Sequence, residues 1–201
     1  MKTYVATHNS DKMRELQQVF ATSHLQLIAY ENFAEVEEYG NSYAENARLK
    51  ADALYSQLCK GGNVACAVIA DDSGLEVGAL GGRPGVLSAR YGGPNLTWPE
   101  RRARLLGELQ EAHLHERAAK FCCAMHFISA AGERVTSYGE VSGSVALRES
   151  GNFGFGYDPV FCYRSASVTF ADMSEAEKNS ISHRHVAAVN LLSALARAPI
   201  G

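Results

Sequence analysis

The sequence predicts a mixed α/β fold, a β-sheet that is not purely parallel with helices flanking it, and three stretches carry that prediction. Residues 3–6 read as a short strand, Thr7-His8-Asn9-Ser10-Asp11-Lys12 as a polar loop, and Met13, Leu16, Val19 and Phe20 as one helix face. Residues 64–70 are small or β-branched and apolar without polar alternation, the pattern of a strand buried on both faces. Residues 121–128 are apolar and residues 134–142 alternate, with Ala131-Gly132-Glu133 between them, so the two should pair as an antiparallel hairpin.

Composition bounds the rest. A chain of 201 residues, 46% hydrophobic, can bury a core as a single domain spanning residues 1–201, or as two closely joined lobes. A net charge of -3 excludes a broad nucleic-acid surface, so any phosphate site must be local. Cys59, Cys66, Cys122, Cys123 and Cys162 are odd in number and lie mostly in apolar runs, which reads as buried free thiols in a reducing compartment. His113 and His115 read as solvated residues near a helix end, since no cysteine and histidine set has zinc spacing. No apolar stretch reaches the ~20 residues of a membrane span. A cytoplasmic protein is expected.

In chain order, the first loop offers backbone N–H groups at a helix N-terminus, where the macrodipole favours an anion and Lys12 adds a full charge. The plainer reading is that Ser10 or Asp11 caps the helix. A second strand is expected over 25–29, then an acidic connection over 31–40. Ser42 and Glu45 form a Ser-x-x-Glu capping box before a helix with Ala47, Ala51, Leu54 and Leu58 at core spacing. Capping would account for Glu45, yet it is also a carboxylate that could join an aspartate on Mg²⁺, which takes only one or two protein carboxylates. Lys50 is either a solvated helix lysine or a second phosphate counter-charge.

The run 64–70 closes with Asp71-Asp72-Ser73-Gly74, two carboxylates, a hydroxyl and a glycine where the strand is expected to stop. Side chains alternate along a strand, so Asp71 and Asp72 should point opposite ways and have different jobs. Taken alone, this stretch is equally readable as a hydrogen-bonded turn. Residues 78–93 form a long glycine-rich loop of a length that is usually functional or contacts a partner. Thr97-Trp98-Pro99-Glu100 starts a structural helix running through Leu105, Leu106 and Leu109.

The last third holds Gly151-Asn152-Phe153-Gly154-Phe155-Gly156-Tyr157-Asp158-Pro159, where aromatics interleave with glycines. Three glycines make a poor core strand, whereas a glycine-flanked Phe155 can lie flat on a planar heterocycle. Hairpin packing is the alternative. Ser174 and Glu177 form another cap, a break is expected near Ser180, and a final helix should bury Val186, Val189, Leu192 and Leu195. His183 and Arg184 fall in its first turn, unfavourable for cations, which suggests an anion held there.

These residues also carry a resemblance. Thr7-x-Asn9-x-x-Lys12-x-x-Glu15, Glu45-Asn46-Ala47, Ala70-Asp71-Asp72-Ser73-Gly74-Leu75, Gly81-Gly82-x-Pro84-Gly85, Ser88-Ala89-Arg90-Tyr91, Phe155-Gly156-Tyr157-Asp158-Pro159 and Glu177-Lys178-Asn179-x-Ile181-Ser182-His183-Arg184 run in order along the chain. Together they resemble the noncanonical purine nucleoside triphosphate pyrophosphatases, the inosine triphosphatase (dITP/XTP pyrophosphatase) group. The resemblance implies two lobes around a central nucleotide-binding cleft, a homodimer, and Mg²⁺-dependent hydrolysis of ITP, dITP and XTP to the monophosphate and pyrophosphate. It implies that Thr7, His8, Asn9, Ser10, Asp11 and Lys12 bind phosphates, with His8 in a variable slot of the motif. It makes Asp72 the general base and a metal ligand, with Glu45 a second ligand. Ser73, Phe155, Gly156, Tyr157, Asp158, Lys178, His183 and Arg184 would contact substrate, and Asp71 would be a supporting carboxylate or reach a second metal. The polar insertion 95–100 departs from the pattern without touching these roles.

A triphosphate repels an incoming hydroxide, so such a site must neutralise it with Mg²⁺ and Lys12 and generate the nucleophile locally. Asp72 would activate water for in-line attack on the α-phosphorus. Hypoxanthine and xanthine present a 6-oxo acceptor and an N1–H donor where adenine presents the reverse, and a mismatched buried group costs ~1 to 3 kcal/mol. Two rivals are a Maf-like pyrimidine nucleoside triphosphate pyrophosphatase and a nucleotide-binding protein without turnover.

Overall fold

The computed structural model describes residues 1–60, 66–164 and 168–197. Strands β1 (Lys2–Val5), β2 (Gln26–Ala29), β3 (Ala67–Val77), β4 (Ala118–Ile128), β5 (Arg134–Val145) and β6 (Phe161–Tyr163) form one sheet in the order β2-β1-β3-β4-β5-β6. The helices are α1 (Ser10–Val19), α2 (Tyr43–Lys60), α3 (Trp98–Glu108), α4 (Glu175–Ile181) and α5 (His183–Arg197). Strand β1 runs parallel to β2 and β3, while β5 and β6 are antiparallel. Strands β4 and β5 are sheet neighbours joined only by residues 129–133, too short for a parallel crossover, so the expected hairpin is present. The sheet is mixed, as the sequence predicts.

The chain divides into two compact units, one of Met1–Asp72, Cys123–Gly139 and His183–Gly201, the other of Ser73–Cys122 and Glu140–Ser182. In the first, Ala67 and Ile69 of β3 join a core with Val5, Met13, Leu16, Phe20, Ala187 and Leu191, so this face is covered by α1 and α5. Val68 and Ala70 join Ala6, Phe33, Ala51, Leu54 and Leu58, so the opposite face is covered by α2. Both faces of β3 are therefore buried, which is why its sequence shows no polar alternation. Val64 and Ala65, the start of the expected strand, lie outside the described residues.

Three expectations are corrected. Strand β3 does not stop at Asp71; it continues to Val77, because Leu75 and Val77 are buried and the ladder overrides the local turn preference of Asp-Ser-Gly. The cap of α1 is Asn9, not Ser10 or Asp11. The break expected near Ser180 is present, at the extended residue Ser182. Helix α5 buries His183, Arg184, Ala187, Ala188, Leu191 and the expected Leu195, with Leu192 packed against the core as expected, but Val189 is exposed. Small residues win there because the backbones meet: a Cβ on Gly139 would collide with the amide of Ala187 and the carbonyl of His183.

In the second unit, Phe121, Phe161 and Phe170 pack with centroids 4.6 to 6.0 Å apart. Buried Arg117 donates to the carbonyls of Leu109, Val145 and Ala146 at 2.6 to 2.9 Å. The glycine-rich segment 78–93 contains two 3₁₀ turns, Gly78–Leu80 and Gly85–Arg90, and buried Arg101 ties down its end through the carbonyls of Tyr91, Gly93 and Pro94. All five cysteines are free; Cys123 and Cys162 are buried and the others half-buried. His113 and His115 are exposed and stack on each other.

Candidate functional site

Three backbone amides at the start of α1 are already spoken for. Asn9 Oδ1 accepts from the N–H groups of Asp11 (2.9 Å) and Lys12 (3.0 Å), and Thr7 Oγ1 accepts from Asn9 N–H (3.2 Å). The motif thus caps its helix with Asn9, which removes the Asp11 and Lys12 amides from the unpaired donors expected for an anion. Asp11 pairs with Arg14, and the exposed His8 ring stacks on Phe33 at 5.2 Å. Ser10 is exposed at the first helical position. Lys12 directs its ammonium to Asp71, 3.4 Å away.

The alternation established by residues 67–70 carries through the two aspartates. Asp71 faces α1 and α5, where Arg184 Nε donates to its Oδ2 at 3.1 Å beside Lys12. Arg184 Nη1 also donates to Glu15 at 3.1 Å, and Glu15, Asp71 and Arg184 are all at least 96% buried. Burial by itself would raise the Asp71 carboxyl, but the charges of Lys12, Arg184 and Lys50 outweigh it and hold the group below the ordinary range. Asp71 is a fixed anion. Arg184, in the first turn of α5, is paired with these protein carboxylates, so its charge does not by itself call for an external anion. His183 is also buried at that turn.

Asp72 faces α2, where Asn46 Nδ2 donates to its Oδ2 at 2.9 Å and the Lys50 ammonium lies 3.9 Å from its Oδ1. Burial raises this carboxyl, and the opposing pull of Lys50 and Lys12 does not cancel the effect. Asp72 therefore keeps more proton affinity than an exposed aspartate, as a general base requires. Lys50 is not the solvated helix lysine that one expectation made it: it is buried, bonded to Glu38 at 2.6 Å, and kept charged by Asp72, Asp71 and Glu38 against burial. Glu45 is exposed; its Oε2 accepts from Asn41 N–H at 2.7 Å and its own N–H donates to Ser42 Oγ at 3.2 Å. Half of the expected capping box is made, and the reciprocal half is displaced by one residue.

The chemistry of this cluster fits a hard divalent cation. Glu15, Glu38, Asp71 and Asp72 are linked by ion pairs with Lys12, Lys50 and Arg184, which gathers hard oxygen donors at the end of β3. Asp71 Oδ1 is buried without a hydrogen-bond partner. No group of three or more acidic, cysteine or histidine side chains among the described residues makes a closed metal cage. Mg²⁺ needs none, because water and phosphate oxygens complete its shell.

In the second unit, Gly154 and Gly156 hold φ of 71° and 62° on either side of the half-buried Phe155. Asp158 Oδ2 accepts from Phe155 N–H at 2.8 Å and from Lys178 Nζ at 2.7 Å, and that ammonium lies 4.7 Å from the centre of the Phe155 ring. Buried Tyr157 donates its hydroxyl to Ser88 O at 3.2 Å and packs edge-on against Trp98. Asp158 and Tyr157 thereby shape the loop that presents Phe155. Ser73, half-buried, is the first residue of this unit.

Sequence reasoning missed Glu15 as an ion-pair partner, Glu38, Asn46 and Arg102. Asn46 had a usable signal: it lies four residues before Lys50, so both point to one face of α2. Glu38 sits in a connection without periodicity and gave none.

Comparison with known proteins identifies the family. A sequence model of the Ham1 family matches residues 3–194. The chain is 38% identical over 183 residues to a dITP/XTP pyrophosphatase of Bacillus subtilis, covering 90% of this chain and 89% of that one. It is 40% identical over 195 residues to a dITP/XTP pyrophosphatase of Prochlorococcus marinus, covering 96% and 92%. The solved structure of a HAM1 protein from Coxiella burnetii superposes with a TM-score of 0.84 at 34% identity, covering 98% of this chain and 100% of that one. A nucleoside-triphosphatase / dITP/XTP pyrophosphatase from Mycobacterium abscessus gives 0.71 at 37% identity, covering 96% and 99%. With two carboxylates split across β3 and a match of this extent, the chain belongs to the Ham1 family.

Proposed function

We propose that this chain is a nucleoside triphosphate pyrophosphatase that hydrolyses noncanonical purine nucleoside triphosphates, ITP, dITP and XTP, to the monophosphate and pyrophosphate. The observation that carries the reading is the division of labour between Asp71, locked as an anion by Arg184 and Lys12, and Asp72, buried with raised proton affinity beside Asn46 and Lys50. Asp72 takes the proton of the attacking water, and Lys12 offsets phosphate charge. Mg²⁺ would be held by Asp72 and Glu45, and when bound it supplies charge neutralisation to the triphosphate. The carboxylates of Asp71 and Asp72 repel the like charge of a bare triphosphate, which is the physical reason to expect the ion. Phe155 stacks on the purine, with Lys178 over the ring.

The test is product analysis with ITP, dTTP and GTP, with Mg²⁺ and again with EDTA. ITP should give pyrophosphate in one step, and EDTA should abolish the reaction. Successive release of orthophosphate would remove the α-phosphorus assignment; preference for dTTP would favour a Maf-like pyrimidine enzyme, and binding without turnover a sensor. A homodimer in the cytoplasm completes the proposal, supported by the glycine-rich loop and by the absence, among the described residues, of any helix long and apolar enough to cross a membrane. A sedimentation mass of one chain at micromolar concentration would refute the dimer.

A further inference from the structure

Helix α3 was expected to be structural, yet it reaches the loop that carries Phe155. Arg102 Nη1 donates to the carbonyl of Gly156 at 3.0 Å, and its Nη2 pairs with Glu149 at 2.9 Å. The neighbouring peptides of this loop are held by the loop itself. Asp158 N–H donates to Phe155 O at 3.1 Å, and Phe155 N–H donates to the Asp158 carboxylate. The Gly156–Tyr157 peptide is different. Its N–H donates to no group of the chain among the described residues, and its carbonyl accepts from Arg102.

Gly156 offers no resistance of its own to rotation of that peptide, because glycine has no Cβ and at φ 62° holds a conformation that residues with side chains rarely adopt. Space is not the reason for glycine there, since an added Cβ would meet the Trp98 ring only at 3.7 to 3.9 Å. In a planar trans peptide the C=O and N–H point in opposite directions. Binding the Gly156 carbonyl to Arg102 therefore turns the Tyr157 N–H away from the guanidinium. Held in this sense the peptide offers a ligand a donor; flipped, it would offer an acceptor.

We infer that Arg102 is a positioning residue that fixes the hydrogen-bonding sense of the Gly156–Tyr157 peptide and thereby favours a 6-oxo over a 6-amino purine. The inference rests on the proposed function, and it gives the base preference a cause in this chain. A carbonyl oxygen on the purine is the complement of a fixed N–H donor, and an exocyclic amine is not. Lysine is a poor substitute for Arg102, because a single ammonium cannot hold the Gly156 carbonyl and Glu149 with the planar fork of arginine.

The experiment measures pyrophosphate release from ITP and ATP by the full chain with Mg²⁺, comparing the parent with Arg102→Met, Arg102→Lys and Phe155→Ala. Arg102→Met should lower the ITP to ATP ratio of kcat/KM by about five-fold or more, the effect of one mismatched buried hydrogen bond. The change should appear as a higher KM for ITP and a gain with ATP, with kcat for ITP held within about two-fold. Arg102→Lys should fall between, and it decides the question if the methionine variant does not fold. A fall in ITP and ATP turnover by the same factor would reduce Arg102 to a structural brace and overturn the inference. Phe155→Ala separates the two levels. If it leaves the KM for ITP unchanged, the proposed purine site fails and the Arg102 inference with it; if it raises KM while Arg102→Met leaves the ratio unchanged, only the Arg102 inference fails.

Discussion

Asp72→Asn should lower kcat for ITP by ~10² to 10⁴-fold, because the amide nearly matches the carboxylate in shape but cannot accept a proton from water and ligates Mg²⁺ poorly. Raising Mg²⁺ separates the two losses. Recovery of most of the rate would make Asp72 chiefly a ligand; a defect that persists at saturating Mg²⁺, with nucleotide binding preserved, makes it chiefly the base. The same variant should be more stable than the parent without metal at neutral pH. The folded Asp72 carboxyl lies above its unfolded value, so the stability it contributes is greatest at low pH and declines as pH rises through the two values. An amide carries no such charge cost. Asp71→Asn should leave more activity than Asp72→Asn, since Asp71 faces the other side of β3; the reverse order would make Asp71 the base.

Arg184→Met should destabilise the protein by ~3 to 5 kcal/mol, because it leaves Glu15 and Asp71 buried without the guanidinium that both use. A urea titration would read this as a lower midpoint at unchanged slope. The acid limb gives a second readout. Asp71 is held below its unfolded value, so its contribution is fully present above about pH 4 and is lost as pH falls through the folded value. Without Arg184 that loss should begin at higher pH. A variant as stable as the parent would show that Lys12 alone satisfies Asp71.

Much of this was legible in one dimension. Both-sided burial of β3 followed from an apolar run without alternation, and the opposed directions of Asp71 and Asp72 followed from the period of a strand. The Thr97 and Ser174 helix starts were read directly from capping residues, and Glu100 and Glu177 make the expected bonds at 2.7 to 2.9 Å. Such features depend on neighbours within a few positions, so spacing suffices to find them.

Other features depend on which distant segment arrives. The sequence places cations in the first turn of α5, but only folding brings Glu15 and Asp71 to Arg184 across separations of 169 and 113 residues. Val189 looks like part of the buried face of that helix by hydrophobicity, as Leu192 and Leu195 are; close approach of Gly139 selects Ala187 and Ala188 and leaves Val189 exposed. Likewise two adjacent aspartates are equivalent as letters. The sequence by itself determined that they diverge, and the tertiary structure decided which keeps its proton affinity, because burial raises both while Lys12 and Arg184 stand close against Asp71, and the Asn46 amide and the more distant ammonium groups of Lys50 and Lys12 against Asp72.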